Sequence, residues 1–244
     1  MFRLMPVLTL ALSASAATLA DEAEDRAVQV VQGLGGTFDR SEADGPVTLV
    51  VLRRTPVKDA DLKRLAGLKA LRVLSLQATG ITDAGLKELA ALKELRELDL
   101  RAAQVSDAGL KSLVAIKELR WLDLAETKVT GTGLKELAGL TGLQELNLSR
   151  TPLTSAGLKE LTALKGLRWL SLSETKTADA DLKGLAALVE LRTLYLFGTP
   201  LTNTGLKELA PLKRLQLLDL GDTRVSEEGL KWLARALPDC EVLR

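Results

Sequence analysis

Aliphatic residues return along this chain with a period of 24. Setting Leu71, Leu95, Leu119, Leu143, Leu167, Leu191 and Leu215 in one column gives a gapless register, and Val47 extends it upstream to make eight units. Within a unit the first, fourth and sixth places are aliphatic, as in Leu71, Leu74 and Leu76. The last two of these alternate with other residues, as along a strand with one face turned inward. After the strand, Thr82, Ser106 and Thr154 stand where a helix N-cap is expected. A GLKEL segment follows, with Leu86, Leu89 and Leu92 three residues apart on what should be the inner side of a short helix. Each unit is thus predicted to be a strand and a helix sharing one core. A unit of that size cannot bury its own leucines, so the units must stack.

The ninth place holds threonine in seven units (Thr55, Thr79, Thr127, Thr151, Thr175, Thr199 and Thr223) and alanine in one, Ala103. A buried hydroxyl there is expected to bond the backbone where the chain leaves the sheet. The lysines at 63, 87, 111, 135, 159, 183, 207 and 231 recur beside the helix leucines and read as a solvated back surface. LxxLxLxxT followed by GLKEL resembles the 24-residue leucine-rich repeats of bacterial proteins, and is similar to their cysteine-containing subclass with threonine in the cysteine position. The resemblance spans about four fifths of the chain. It implies an α/β fold, a right-handed leucine-rich-repeat solenoid or horseshoe, with a parallel sheet on the concave face and short helices on the convex face. It also implies protein binding, with partners that differ from member to member.

The ends depart from the repeat, as a solenoid requires. Residues 1–20 carry one charge, Arg3, an apolar run from Leu4 to Leu12 and then small residues up to Ala20, the pattern of a cleaved signal peptide, an uncleaved anchor being the alternative. Export to the periplasm or the exterior is therefore expected, with no membrane-spanning segment after cleavage. Residues 21–46 read as a cap, a helix with Ala27, Val30, Val31 and Leu34 on one side, ended by Gly35 and Gly36, then a short edge strand near Phe38. Repeats fill 47–239 and a second cap fills 240–244, where an extra residue before Pro238 is expected to put Cys240 and Leu243 in the first and fourth places of a closing strand.

Composition narrows the chemistry. The chain has no histidine, so the commonest acid–base group and metal ligand is missing, and its lone cysteine can form neither an internal disulfide nor a thiolate cluster. Arg3 accounts for the only difference between 33 basic and 32 acidic residues, so the exported chain has zero formal charge and no overall field to steer a nucleic acid. Ser173 and Lys176 spell the SxxK of penicillin-binding enzymes, but at a strand exit and without the partner motifs. Asn147 opens a glycosylation sequon in mid-strand, a place glycans avoid. Asp99 and Asp123 share a place on adjacent strands, with Arg96, Arg101 and Arg120 nearby, and are expected to form a salt-bridged ladder, an acid pair or a cation site being the other options. No catalytic set, metal site or cofactor is predicted.

The repeats stop being alike in the third, fifth and seventh places, which should point away from the core. Trp121, Trp169 and Leu217 stand in the third, Asp99, Asp123 and Tyr195 in the fifth, Arg101 and Phe197 in the seventh. Large rigid side chains on one surface make a binding hot spot, here centred on Trp169, Tyr195, Phe197 and Leu217. Arg53, Arg54, Arg101, Arg150 and the carboxylates would rim it. The expectation is a monomeric, non-catalytic scaffold that takes a protein or peptide, not a nucleic acid, on its concave face. The alternative is a structural or adhesive envelope protein that self-associates or binds envelope polymer.

Overall fold

The computed structural model describes residues 22–244, so the apolar leader lies outside the described residues. One sheet of ten strands runs through the molecule in chain order. β1 (Thr37–Arg40) pairs antiparallel with β2 (Val47–Val51). Parallel strands then follow every 24 residues: β3 (Val73–Ser75), β4 (Glu97–Asp99), β5 (Trp121–Asp123), β6 (Glu145–Asn147), β7 (Trp169–Ser171), β8 (Thr193–Tyr195), β9 (Leu217–Asp219) and β10 (Glu241–Leu243). The parallel register never slips: Leu74 sits beside Leu98, Leu98 beside Leu122, and so on to Leu194 beside Leu218.

The first, fourth and sixth places make the core, and Leu71, Leu74, Leu76 and their equivalents are fully or almost fully buried. Each such leucine is worth roughly 2 kcal/mol of hydrophobic stabilisation. The leucines spaced by three close this core from behind. Leu86 ends an α-helical turn (Asp83–Leu86), Leu89 lies in a 3-10 turn (Glu88–Ala91) and Leu92 follows it, all buried. A spacing of three is also compatible with the 3.0 residues per turn of the 3-10 helix, and four of the eight backs tighten from α to 3-10 halfway. The lysines of that face are all exposed.

Two recurring sets of hydrogen bonds hold the turns. All seven ninth-place threonines donate their hydroxyl to the carbonyl three residues earlier, the sixth-place carbonyl, at 2.6–2.7 Å, as in Thr127 to Leu124 and Thr151 to Leu148. A second ladder passes from repeat to repeat. Asp59 accepts from the amide and hydroxyl of Thr82, Asp83 from Ser106, Asp107 from Thr130 and Asp179 from Thr202. Thr82, Ser106 and Thr202, the donors, are themselves helix N-caps whose hydroxyls accept from the amides of Ala84, Ala108 and Thr204, so one repeat's aspartate orients the next repeat's cap.

Residues 22–33 form a helix that lays Ala27 and Val31 into the first repeat. It ends in a Schellman turn: Gly35 has φ of 77° and its amide bonds Gln32, while the Gly36 amide bonds Val31. At the other end the longest described helix after it, Glu227–Ala236, covers the last turn with Leu233 and half-buried Trp232. The closing strand corrects the expected register. Glu241 pairs with Leu217 and Val242 with Leu218, so the period of 24 persists and no residue is gained before Pro238. Cys240 therefore takes a second place and not a first, Val242 points inward, and Leu243 is left 37% exposed. The bond from the Glu241 amide to the Gln216 carbonyl, the same that ties Leu217 to Arg192, sets this register.

Candidate functional site

Strands only three residues long leave the third and fifth places as the wall of the concave face. Trp121, Trp169, Tyr195 and Leu217 are half-buried there, none of them interred with the leucines, and Phe197 is 42% exposed. Trp169 and Tyr195, diagonal neighbours on β7 and β8, lie with ring centroids 5.4 Å apart and planes tilted by 49°. Leu217 is the next residue along the third-place row after Thr193. Phe197 leans over Gly221, where a side chain would push into its ring. These four form one apolar patch towards the C-terminal end. Trp121 stands apart from it, two strands away and between Glu97 and Glu145. Partial burial first, and then the charge of Glu97, hold the Glu145 carboxyl above its usual range.

The polar part of the wall satisfies itself. Asp99 accepts from Ser75 Oγ and from the Arg101 amide, and Asp123 from the Ala125 amide and Asn147 Nδ2. Asn147 Oδ1 takes the Ser149 amide and hydroxyl, and Ser149 continues to Ser171. The expected ladder of Asp99 and Asp123 with arginines is not what forms. Arg101 instead pairs with Glu126 at 2.6 Å, and Arg150 bridges Glu126 and Glu174, a chain of charges along the strand exits. The reason is reach: Asp99 and Asp123 turn into backbone amides two residues on, as the short aspartate side chain readily does. Asp123 is only 8% exposed, which removes it from the surface a partner can touch. Burial, and next Asp99 among the charges, push its carboxyl up, against the pull of the Ala125 and Asn147 bonds. Among the described residues no group of histidine, cysteine and carboxylate side chains large enough to hold a metal ion exists. The sequon amide of Asn147 is occupied within the sheet, and Ser173 sits on a turn with Lys176 in the loop that follows, neither in a helix.

The leucine-rich-repeat family model matches residues 68–90 and 93–114, two consecutive turns whose register the other turns repeat. The chain folds as a leucine-rich-repeat solenoid. Its fold is similar to that of internalin C2 from Listeria monocytogenes, at 24% identity over 89% of this chain and 92% of that one, with a TM-score of 0.59. No curated protein matches the sequence.

Three features of this leucine-rich-repeat solenoid escape a reading of leucines and aromatics. The eighth place is left-handed in every repeat, with φ of 51–64° at Arg54, Ala78, Ala102, Glu126, Arg150, Glu174, Gly198 and Asp222. Only one of these is glycine, so residue type carries no signal. The aspartates at 59, 83, 107 and 179 recur at a fixed place and were a visible signal for the second ladder. The second place holds Arg72, Arg96, Arg120, Arg168 and Arg192, a row equally visible and equally distant from the leucine pattern.

Proposed function

We propose that this chain is an exported, non-catalytic scaffold that binds a protein or peptide on its concave face. The observation that carries this is the patch of Trp169, Tyr195, Phe197 and Leu217, partly open to solvent on a wall whose other side chains largely bond one another. Large aromatics left accessible in a protein with so few of them supply contact area at low entropic cost, which is what an interface centre needs. Trp121, Asp99 and Arg101 would meet the partner's periphery, Arg101 through a pair that is already solvated. Export rests on the leader pattern of residues 1–20. No described helix is long and apolar enough to cross a membrane. Trp169→Ala with Tyr195→Ala is expected to abolish partner capture and leave the circular dichroism spectrum unchanged. Undiminished capture contradicts the proposal.

A second reading, edge-to-edge self-association, is favoured by one feature, the open outer edge of β10 with exposed Leu243. It predicts an association that rises with concentration and ignores substitutions at Trp169 and Tyr195, detectable by analytical ultracentrifugation.

A further inference from the structure

The zero formal charge of the exported chain conceals a segregation. Arg72, Arg96, Arg120, Arg168 and Arg192 occupy the second place of five repeats, at the entry to the strands, interrupted only by Gln144. Neighbouring strands are about 4.8 Å apart, so Arg72, Arg96 and Arg120 follow one another at that pitch. Among the described residues none of the five makes an ion pair or a side-chain hydrogen bond. The lysines of the same flank differ in this. Lys93, Lys117 and Lys213 reach the carbonyls of Ala115, Gly139 and Ala236 at the ends of the helical turns, so their charge has a structural use. The five arginines have none among the described residues. Arg96 goes further: its Nε is buried and lacks an acceptor.

Arg96 and Arg120 open into a cleft of about 510 Å³ together with Trp121, Glu97, Glu145 and Gln144. The arginine row therefore borders the third-place row that carries Trp121 and Trp169, and both surfaces are within reach of one extended ligand. Building on the concave-face reading above, we propose that the partner presents an acidic, extended polypeptide segment whose carboxylates take the second-place arginines while its apolar side chains reach the neighbouring tryptophans. A guanidinium matches a carboxylate in a fixed fork, and Arg96 Nε is a donor waiting for such an acceptor. Glu97 and Glu145 decide against a uniform polyanion. A nucleic acid laid on this flank cannot keep its phosphates off two carboxylates spaced between the arginines, whereas a peptide can place an apolar residue or a lysine there.

The test is selection of random displayed dodecapeptides on the folded wild-type chain, on Arg72→Gln/Arg96→Gln/Arg120→Gln and on the charge-preserving triple lysine variant. Wild type is expected to enrich peptides rich in aspartate and glutamate. The glutamine variant should lower that acidic enrichment about tenfold, the sum of a few exposed ion pairs, and the lysine variant should keep most of it. Oligothymidylate should not compete. No enriched peptide, enriched peptides without acidic excess, an acidic excess that survives the glutamine variant, or displacement by oligothymidylate each overturns the proposal. Selection on Trp169→Ala/Tyr195→Ala separates the two readings: it should remove the apolar preference and spare the acidic one. Partner capture that depends on Trp169 and Tyr195 beside a library without acidic preference sinks this inference alone.

Discussion

At the scale of single residues, small polar side chains hold the turns that leucines cannot. The ninth-place hydroxyl is one donor to one buried carbonyl, repeated seven times, and Ala103 is the natural omission. Thr151→Val keeps the volume and removes the donor, so it should cost about 1 kcal/mol, read as a lowered urea midpoint with unchanged slope. Ala103→Thr should regain a similar amount. Asp107 carries the heaviest load of the second ladder, since its two oxygens accept from Thr130 twice and from the amides of Gly131 and Gly133. Burial pushes its carboxyl up, but those bonds outweigh it and leave the pKa below the usual 3.8. A carboxyl lowered in the folded state stabilises above its unfolded pKa and loses that contribution as the pH falls through the folded one. The stability difference between wild type and Asp107→Asn should therefore be full at neutral pH and shrink as the pH drops below about 4, measured by chemical unfolding across that range.

At the scale of elements, the repeat is not uniform, and one irregular joint lies between the fourth and fifth turns. There Gly131, with φ of 98°, stands where four other repeats have aspartate, and Gly157 of the next turn approaches it so closely that a Cβ on Gly157 would meet the Gly131 Cα at 2.6 Å. Backbone cannot yield as a flexible side chain does, so Gly157→Ala should destabilise by about 2–3 kcal/mol. Hydrogen exchange should show the loss concentrated in the turns around β5 to β7. Strands and core places were legible in the sequence because leucine spacing is a direct image of burial: Leu74, Leu98 and Leu122 line up on paper as they do in the sheet. The half-3-10 backs were legible only in part, since leucines three apart fit one turn of either helix. Left-handed Glu126 and Arg150 were not legible, because that conformation is imposed by the stacked neighbours and not chosen by residue type. The partners of Asp99, Asp123 and Arg101 were misread for a related reason: a shared row fixes distance between backbones, not the direction in which a short or long side chain turns.

At the scale of the molecule, stacking in register turns a one-dimensional pattern into a wall with distinct flanks. The places that vary, Trp121, Trp169, Tyr195 and Phe197, gather on it because the constant ones are consumed by the core. Its ends are sealed by the helix at 22–33 and by Glu227–Ala236 with β10, and deleting residues 227–244 should expose Leu215, Leu218 and Leu220 and drive the chain to aggregate. The concave wall as a partner surface is tested most directly by photo-crosslinking in the producing cell, with the reactive group placed at Tyr195 on the wall or at Lys159 on the back. Covalent capture of the same protein from Tyr195, and none from Lys159, is the expected result. Adducts from Lys159 alone, or from neither position, contradict it.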